Sequence, residues 1–270
     1  MTSTPRTVLL TGAAGGVGTF LRDSLPAQYG YTLRLFDRRP VPGHPEAITA
    51  DLADTAALAG AVEGVDAVVH LAGIPTEAPF DDILASNIQG LHHLYEAARA
   101  AGVRRVVFAS SNHAVGFTER PADGGTVPVE TRLRPDTYYG LSKAFGESLA
   151  SLYADKHGIE TVSIRIGSCF AEPRTVRMLD TWLSPADCVR LVHAALSAEL
   201  PAASHGHHVV YGISANTRAW WSLDSARALG YEPQDDAEVF AARMIAEHGE
   251  LAADDVEYRY IGGAFTRQYI

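Results

Sequence analysis

Short apolar runs alternate with longer amphipathic stretches through the first two thirds of the chain. Thr7-Val8-Leu9-Leu10-Thr11, Leu33-Arg34-Leu35-Phe36, Ala67-Val68-Val69-His70-Leu71, Arg105-Val106-Val107-Phe108-Ala109-Ser110 and Thr161-Val162-Ser163-Ile164-Arg165-Ile166 are short and mostly apolar. Runs of this kind read as parallel strands buried on both faces. Between them, residues 55–62, 83–101 and 139–157 carry helical patterns. Strand–helix alternation predicts an α/β fold, a doubly wound parallel sheet with ligand chemistry at the carboxyl ends of its strands. After Ile166 the rhythm loosens, with a helix expected over 185–198, a strand at 208–211, and helices near 222–229 and 236–247. There is no internal repeat and no low-complexity linker. The chain therefore reads as a single domain over 1–270, in which residues from about 168 to 270 form a small C-terminal lid over the sheet.

The first strand runs into Gly12-Ala13-Ala14-Gly15-Gly16-Val17-Gly18 and then a helix-compatible stretch from Thr19 to Leu25. Strand, glycine-rich turn and helix together make a Rossmann-like dinucleotide-binding signal, here spaced G-x-x-G-x-x-G. Gly12 permits the tight turn, Gly15 admits a pyrophosphate against the backbone, and Gly18 lets the helix pack close to the strand. Gly16 and Val17 belong to the same turn, and the N-terminus of the helix that follows presents free N–H groups and a positive dipole end to the phosphates. Asp37 ends the second strand about twenty residues on, where a carboxylate binds both adenosine ribose hydroxyls. It also repels a 2′-phosphate, since two like charges ~4 Å apart cost on the order of 4 kcal/mol at an effective dielectric of 20. That favours NAD over NADP, although Arg38 and Arg39 follow at once and arginine at this position can hold a 2′-phosphate; they read here as adenine-stacking or solvated side chains. Asp51 and Leu52 follow a third short strand, where the carboxylate can meet the adenine amine, cap the helix over 55–62, or do both.

Tyr139 and Lys143 add chemistry to that frame. A tyrosine and a lysine four apart share one helix face, so a cation sits beside a phenol. A nearby ammonium favours the phenolate and lowers the ordinary phenol pKa of about 10 by roughly 1–3 units. The pair is then expected to act as general acid and base in an alcohol–carbonyl interconversion. Tyr138 lacks a lysine four residues on and is expected to pack.

Composition narrows the partners. A chain of 270 residues with 47% hydrophobic content buries a large core. Its net charge of −10 and lack of a basic run argue against nucleic acid. No apolar stretch reaches eighteen residues, so no membrane span is expected. The first strand begins too early to leave room for a signal peptide, and two cysteines, Cys169 and Cys188, fit a reducing cytoplasm. An acidic protein that acts on an anion needs a local positive group against its own field. His205, His207 and His208 have no cysteine or carboxylate close by in sequence and read as a solvated loop, not a metal site. Trp220 and Trp221 are expected in the core or an interface.

The ordered set Gly12, Gly15, Gly18, Asp37, Leu71-Ala72-Gly73, Asn87, Ser111, Tyr139 and Lys143 resembles the short-chain dehydrogenase/reductase superfamily, in its extended, sugar-acting branch. Phe108-Ala109-Ser110-Ser111-Asn112-His113, Arg165-Ile166-Gly167-Ser168-Cys169, Arg177-Met178-Leu179 and Ser214-Ala215-Asn216 with Trp220-Trp221 are similar to segments of the bacterial uronate dehydrogenases. The resemblance runs over nearly the whole chain. It implies oxidation of the ring form of D-glucuronate or D-galacturonate at C1, with NAD as acceptor and an aldarolactone as product. By that resemblance Tyr139 takes the C1 hydroxyl proton, Lys143 lowers its pKa and holds the nicotinamide ribose, and Ser111 bonds the same oxygen. Leu71, Ala72, Gly73, Asn87 and Ile166 belong to the implied cofactor site, Asn87 through water to the lysine or as a plain helix-surface amide.

The same resemblance assigns the uronate to Ser111, Asn112, His113, Ser168 and Arg177, whose planar guanidinium suits a carboxylate. For His113, a loop histidine without a role is the competing reading. Arg174 is a decoy on the same loop, and Arg165, inside a strand, reads as structural. One departure stands out: the family's serine after Leu71-Ala72-Gly73 is replaced by Pro75-Thr76, so that contact is either lost or supplied by Thr76. Homo-oligomers are usual in the superfamily, often through the helices bearing Asn87 and Tyr139. A nucleotide-sugar epimerase or dehydratase of the same branch, or a dinucleotide sensor without turnover, are the rival readings.

Overall fold

The computed structural model describes residues 6–268. The chain opens with β1 (Thr7–Thr11), α1 (Gly16–Tyr29), β2 (Thr32–Asp37) and β3 (Ile48–Thr49). Next come α2 (Thr55–Val62), β4 (Ala67–His70) and a composite helix. Its parts are α3 (Phe80–Ile83), a π-helical segment at Leu84–Gln89, and α4 (Gly90–Ala101). β5 (Arg105–Ser111) leads through a 3₁₀ turn at Asn112–Val115 to α5 (Tyr138–His157) and β6 (Glu160–Ile166). Then follow β7 (Ser168–Cys169), α6 (Met178–Thr181), β8 (Trp182–Leu183), α7 (Pro185–Ser197) and β9 (His207–Gly212). Short helices α8 (Asp224–Arg227), α9 (Ala241–His248) and α10 (Val256–Arg259) complete the order.

The main sheet runs β3-β2-β1-β4-β5-β6-β9, and every neighbouring pair is parallel. The strand order reverses between β1 and β4, which opens a crevice beyond their carboxyl ends. Helices cover both faces. Leu21 and Leu25 of α1 join Val189, Leu191 and Val192 of α7 in one core, while Leu58, Leu91, Leu94, Tyr95 and Leu149 pack the other. Trp220 and Trp221 lie in the first of these cores. Among the described residues no helix is long and apolar enough to cross a membrane.

The pattern of apolar runs located every strand of the main sheet. It misjudged three helices. The stretch expected as one helix over 83–101 begins with α3 and a π-helical turn, and residues 222–229 form one turn, α8. The helix expected over 236–247 is split into a 3₁₀ turn at Ala237–Phe240 and α9. The C-terminal third also divides its roles: α7 and β9 belong to the main sheet and its cover, and the segments around them reach the crevice.

Candidate active site

A cavity of about 880 Å³ occupies the crevice. That is near the upper end for small-molecule and cofactor sites. Its floor is the glycine turn. Gly12 has φ +74°, and a Cβ there would lie 2.7 Å from the Ala72 nitrogen. A Cβ on Gly18 would collide with the Gly12 carbonyl oxygen, so α1 can approach β1 this closely only without one. Gly15 is the N-cap of α1 and offers no capping side chain. The first-turn amides of Gly16, Val17 and Gly18 therefore remain available to an anion. This cradle fits a dinucleotide pyrophosphate.

Asp37 lines the cavity with Arg38, Asp51 and Leu52. Its Oδ2 accepts from the Ala14 amide and its Oδ1 from the Arg39 amide, both at 2.9 Å. Each carboxylate oxygen keeps a further lone pair for a ribose hydroxyl. Asp51 caps its own turn through Ala53, and Asp54 is the N-cap of α2, accepting from the Ala57 amide at 2.9 Å. The capping role weighed for Asp51 thus belongs to Asp54, three residues closer to the helix.

The chemistry sits beyond the end of β5. Ser111, Asn112, His113, Tyr139 and Lys143 line the same wall, with Leu71, Ala72, Gly73, Ile166 and Ser168 around them. α5 is capped by Thr137, whose hydroxyl oxygen accepts from the Gly140 amide at 3.0 Å, and by Glu77, which accepts from the Tyr139 amide at 2.8 Å. Lys143 Nζ donates to the Ala109 carbonyl at 2.7 Å and lies 5.5 Å from the Tyr139 ring centre. Burial draws the lysine pKa down to about 8. Burial also pushes the Tyr139 phenol up to about 12, with the Ser111 hydroxyl lowering it and the Asp136 carboxylate raising it further. The expected depression of the phenol by Lys143 is therefore not present in the protein alone. The ammonium, 5.5 Å from the ring centre and bonded to the Ala109 carbonyl, does not outweigh desolvation.

Two predicted site residues lie off the cavity wall. Thr76 is exposed and outside the cavity, whereas Ile74 and Pro75 line it. Asn87 is buried, so it is not a surface amide, and it bonds neither cofactor space nor lysine directly. Its Oδ1 accepts from the Ile74 amide at 2.7 Å, and its Nδ2 donates to the Ile74 carbonyl and Ser142 Oγ at 3.0 and 3.1 Å. Asn87 thus pins the loop that carries Pro75 to α5.

Arg177 lines the cavity and donates through Nη2 to the Ile261 carbonyl. Burial lowers its pKa, opposed by Glu257, Asp180 and Asp136. Asn112 donates to the same Ile261 carbonyl at 2.9 Å. Arg174 also faces the cavity, stacked 3.9 Å over the Phe170 ring. Tyr138 is absent from the wall and packs edge-on against Phe80. Arg165 is structural, paired with buried Glu147 at 2.8 Å. Of the three histidines, only His205 is exposed in a loop; His207 and His208 lie half-buried in β9, where they meet Ser163 and Ser225, each at 2.9 Å. The pattern of the sequence did not mark Glu257, Gly262 or Phe265, which close the cavity from the C-terminal side. Phe265 stacks on His113 with ring centres 4.0 Å apart, a contact with no signal in local spacing.

A model of the NAD dependent epimerase/dehydratase family matches residues 8–186. The uronate dehydrogenase of Pseudomonas putida is 49% identical, over 98% of both chains. A glucuronic acid dehydrogenase from Chromohalobacter salexigens superposes with a TM-score of 0.90 at 43% identity, over 98% of both chains. A mutant uronate dehydrogenase from Agrobacterium tumefaciens, in complex with NAD, superposes with a TM-score of 0.89 at 42% identity, again over 98% of both.

Proposed function

We infer that this chain, which belongs to the NAD dependent epimerase/dehydratase family and within it to the uronate dehydrogenases, oxidises D-galacturonate or D-glucuronate at C1 with NAD as acceptor. The observation that carries this reading is one cavity joining the glycine cradle, the Ser111–Tyr139–Lys143 group and Arg177. NAD, when bound, accepts the hydride from C1. Asp37 favours NAD by receiving ribose hydroxyls and repelling a 2′-phosphate.

The protein's own groups bind, orient and take the proton. Arg177 keeps donors free beside its bond to Ile261, and a guanidinium grips the C6 carboxylate through paired hydrogen bonds. That fixes the ring so that C1 faces the cofactor cleft. Ser111 hydrogen-bonds the C1 hydroxyl oxygen, and Tyr139 takes its proton as the carbonyl of the lactone forms. Lys143 places a positive charge 5.5 Å from the phenol ring centre, and Ser111 is the group that lowers the phenol pKa against burial. Asn112 and Ser168 contact the sugar, and the contact weighed for Thr76 is replaced by the apolar edge of Pro75. The segments from Ser168 onward act as the substrate lid through Phe170, Arg177, Glu257 and Phe265.

Two further assignments complete the proposal. Leu141 and Leu152 are exposed on one face of α5, and Phe80 is exposed beside its N-terminal end; this face suits a homo-oligomer. The free thiols of Cys169 and Cys188 suit a reducing cytoplasm. The decisive assay follows absorbance at the reduced nicotinamide band. The protein should reduce NAD with galacturonate or glucuronate and be nearly idle with galactose or glucose. Equal rates on the neutral hexoses would remove the role given to Arg177, and silence with both uronates would defeat the functional reading.

A further inference from the structure

We propose that Asp136 is a positioning residue: its buried carboxylate holds the His113 ring with the proton on Nδ1, so that a bare Nε2 accepts a hydrogen bond from a sugar hydroxyl. The proposal rests on the uronate dehydrogenase reading of the cavity and adds a residue outside its wall.

Asp136 lies just before the catalytic helix, and its side chain has 0% exposure. A carboxylate shut away from water needs strong donors. One is the Thr137 hydroxyl, which donates to Oδ1 at 3.0 Å, and the other is His113 Nδ1, 2.7 Å from Oδ2. Among the described residues no lysine or arginine comes within ion-pair distance of this carboxylate. An ionised carboxylate only accepts, so the imidazole must present Nδ1–H to it. A neutral ring then has a lone pair on Nε2, the tautomer being set by the partner of the other nitrogen.

The ring has little freedom to turn away. Phe265 stacks on it with planes 24° apart, and the Tyr139 ring meets it edge-on at 5.8 Å. A Cβ on Gly262 would collide with Asp136 Oδ2, so the C-terminal segment closes directly over the pair. His113 Nε2 has no hydrogen-bond partner among the described residues, and the residue lines the cavity beside Ser111 and Tyr139. A fixed acceptor at this point complements the donors of Arg177, Asn112 and Ser111. It makes the wall selective for a substrate that offers a hydroxyl there.

The test reads the tautomer and the kinetics separately. Nitrogen-15 NMR of the wild-type protein with NADH bound should show His113 protonated at Nδ1 and bare at Nε2. A proton on Nε2 instead would overturn the proposal without any variant. In Asp136→Asn the amide oxygen stays with Thr137 and the NH₂ turns to His113, which moves the ring proton to Nε2. KM for the uronate should then rise roughly tenfold, the worth of one hydrogen bond, with kcat changed by less than about threefold and NADH affinity retained. In a His113→Asn background the Asp136→Asn change should add nothing further to KM. Additive losses would mark Asp136 as merely structural and defeat the idea. Absence of turnover in the wild-type protein would instead count against the functional reading, because the tautomer is measured without substrate.

Discussion

His70 shows how far a fold can bend one side chain's chemistry. Its ring is sealed at the carboxyl end of β4, with Nδ1 2.7 Å from Thr11 Oγ1. Burial, aided by the Lys143 charge, lowers its pKa from 6.5 to about 3. The unfolded chain takes up this proton between those two values and the native protein refuses it. Stability from this site is therefore complete above pH 6.5 and lost as pH falls towards 3, by at most about 1.4 kcal/mol per pH unit. Urea midpoints at pH 7, 6 and 5 should fall more steeply for the wild type than for His70→Asn, and parallel slopes would contradict the burial argument. Tyr139 is the second case. Tyr139→Phe should cut kcat by roughly 10²–10⁴-fold, the range for a lost general base, while NADH fluorescence titrations stay unchanged. Loss of NADH binding would make the tyrosine structural. The tyrosine, the lysine and the glycines were legible from spacing because each motif lies within one helix or turn. The upward shift of the phenol was not legible, because desolvation depends on everything packed around the ring.

At the level of elements, α5 and β6 are locked by one buried ion pair. Arg165 donates to Glu147 through Nε and Nη2 at 2.9 and 2.8 Å, and Ser110 donates to the same carboxylate at 2.6 Å. Removing the cation alone strands a buried carboxylate. Arg165→Met should cost on the order of 3–5 kcal/mol, and Arg165→Met with Glu147→Leu should recover most of it. Thermal melts of the three proteins check this, and a single variant that melts near the wild type would refute it. The arginine read correctly as structural from its place inside an apolar strand. Its partner could not be read, since Glu147 lies on the far side of a turn on another element. The π-helical segment at Leu84–Gln89 was equally hidden. It contains Asn87, whose side-chain amide pins the Ile74 backbone, a partner outside the helix.

For the molecule as a whole, charge and exposed surface carry the remaining consequence. A protein of net charge −10 that takes an anion needs positive groups within the cleft, and Arg174 and Arg177 line it. The outer face of α5 is different: Leu141 and Leu152 sit about three turns apart in register and are both exposed. If this face joins copies of the chain, Leu141→Glu with Leu152→Glu should shift the mass measured by light scattering to that of one chain. An unchanged mass would move the interface elsewhere. The cavity itself is a whole-molecule product, because the cradle comes from the first strand and the closing residues from the last segment.

The succession of strands and helices, the nucleotide cradle, and the tyrosine–lysine pair are written in neighbours along the chain, where periodicity and glycine spacing act directly on the backbone. Tertiary packing alone decided that Asp136 meets His113, that Phe265 covers it, and that Asn87 clamps a loop in place of touching a cofactor. Those contacts join residues far apart in sequence, and both burial and hydrogen bonding at such points are properties of the assembled interior, not of any single stretch.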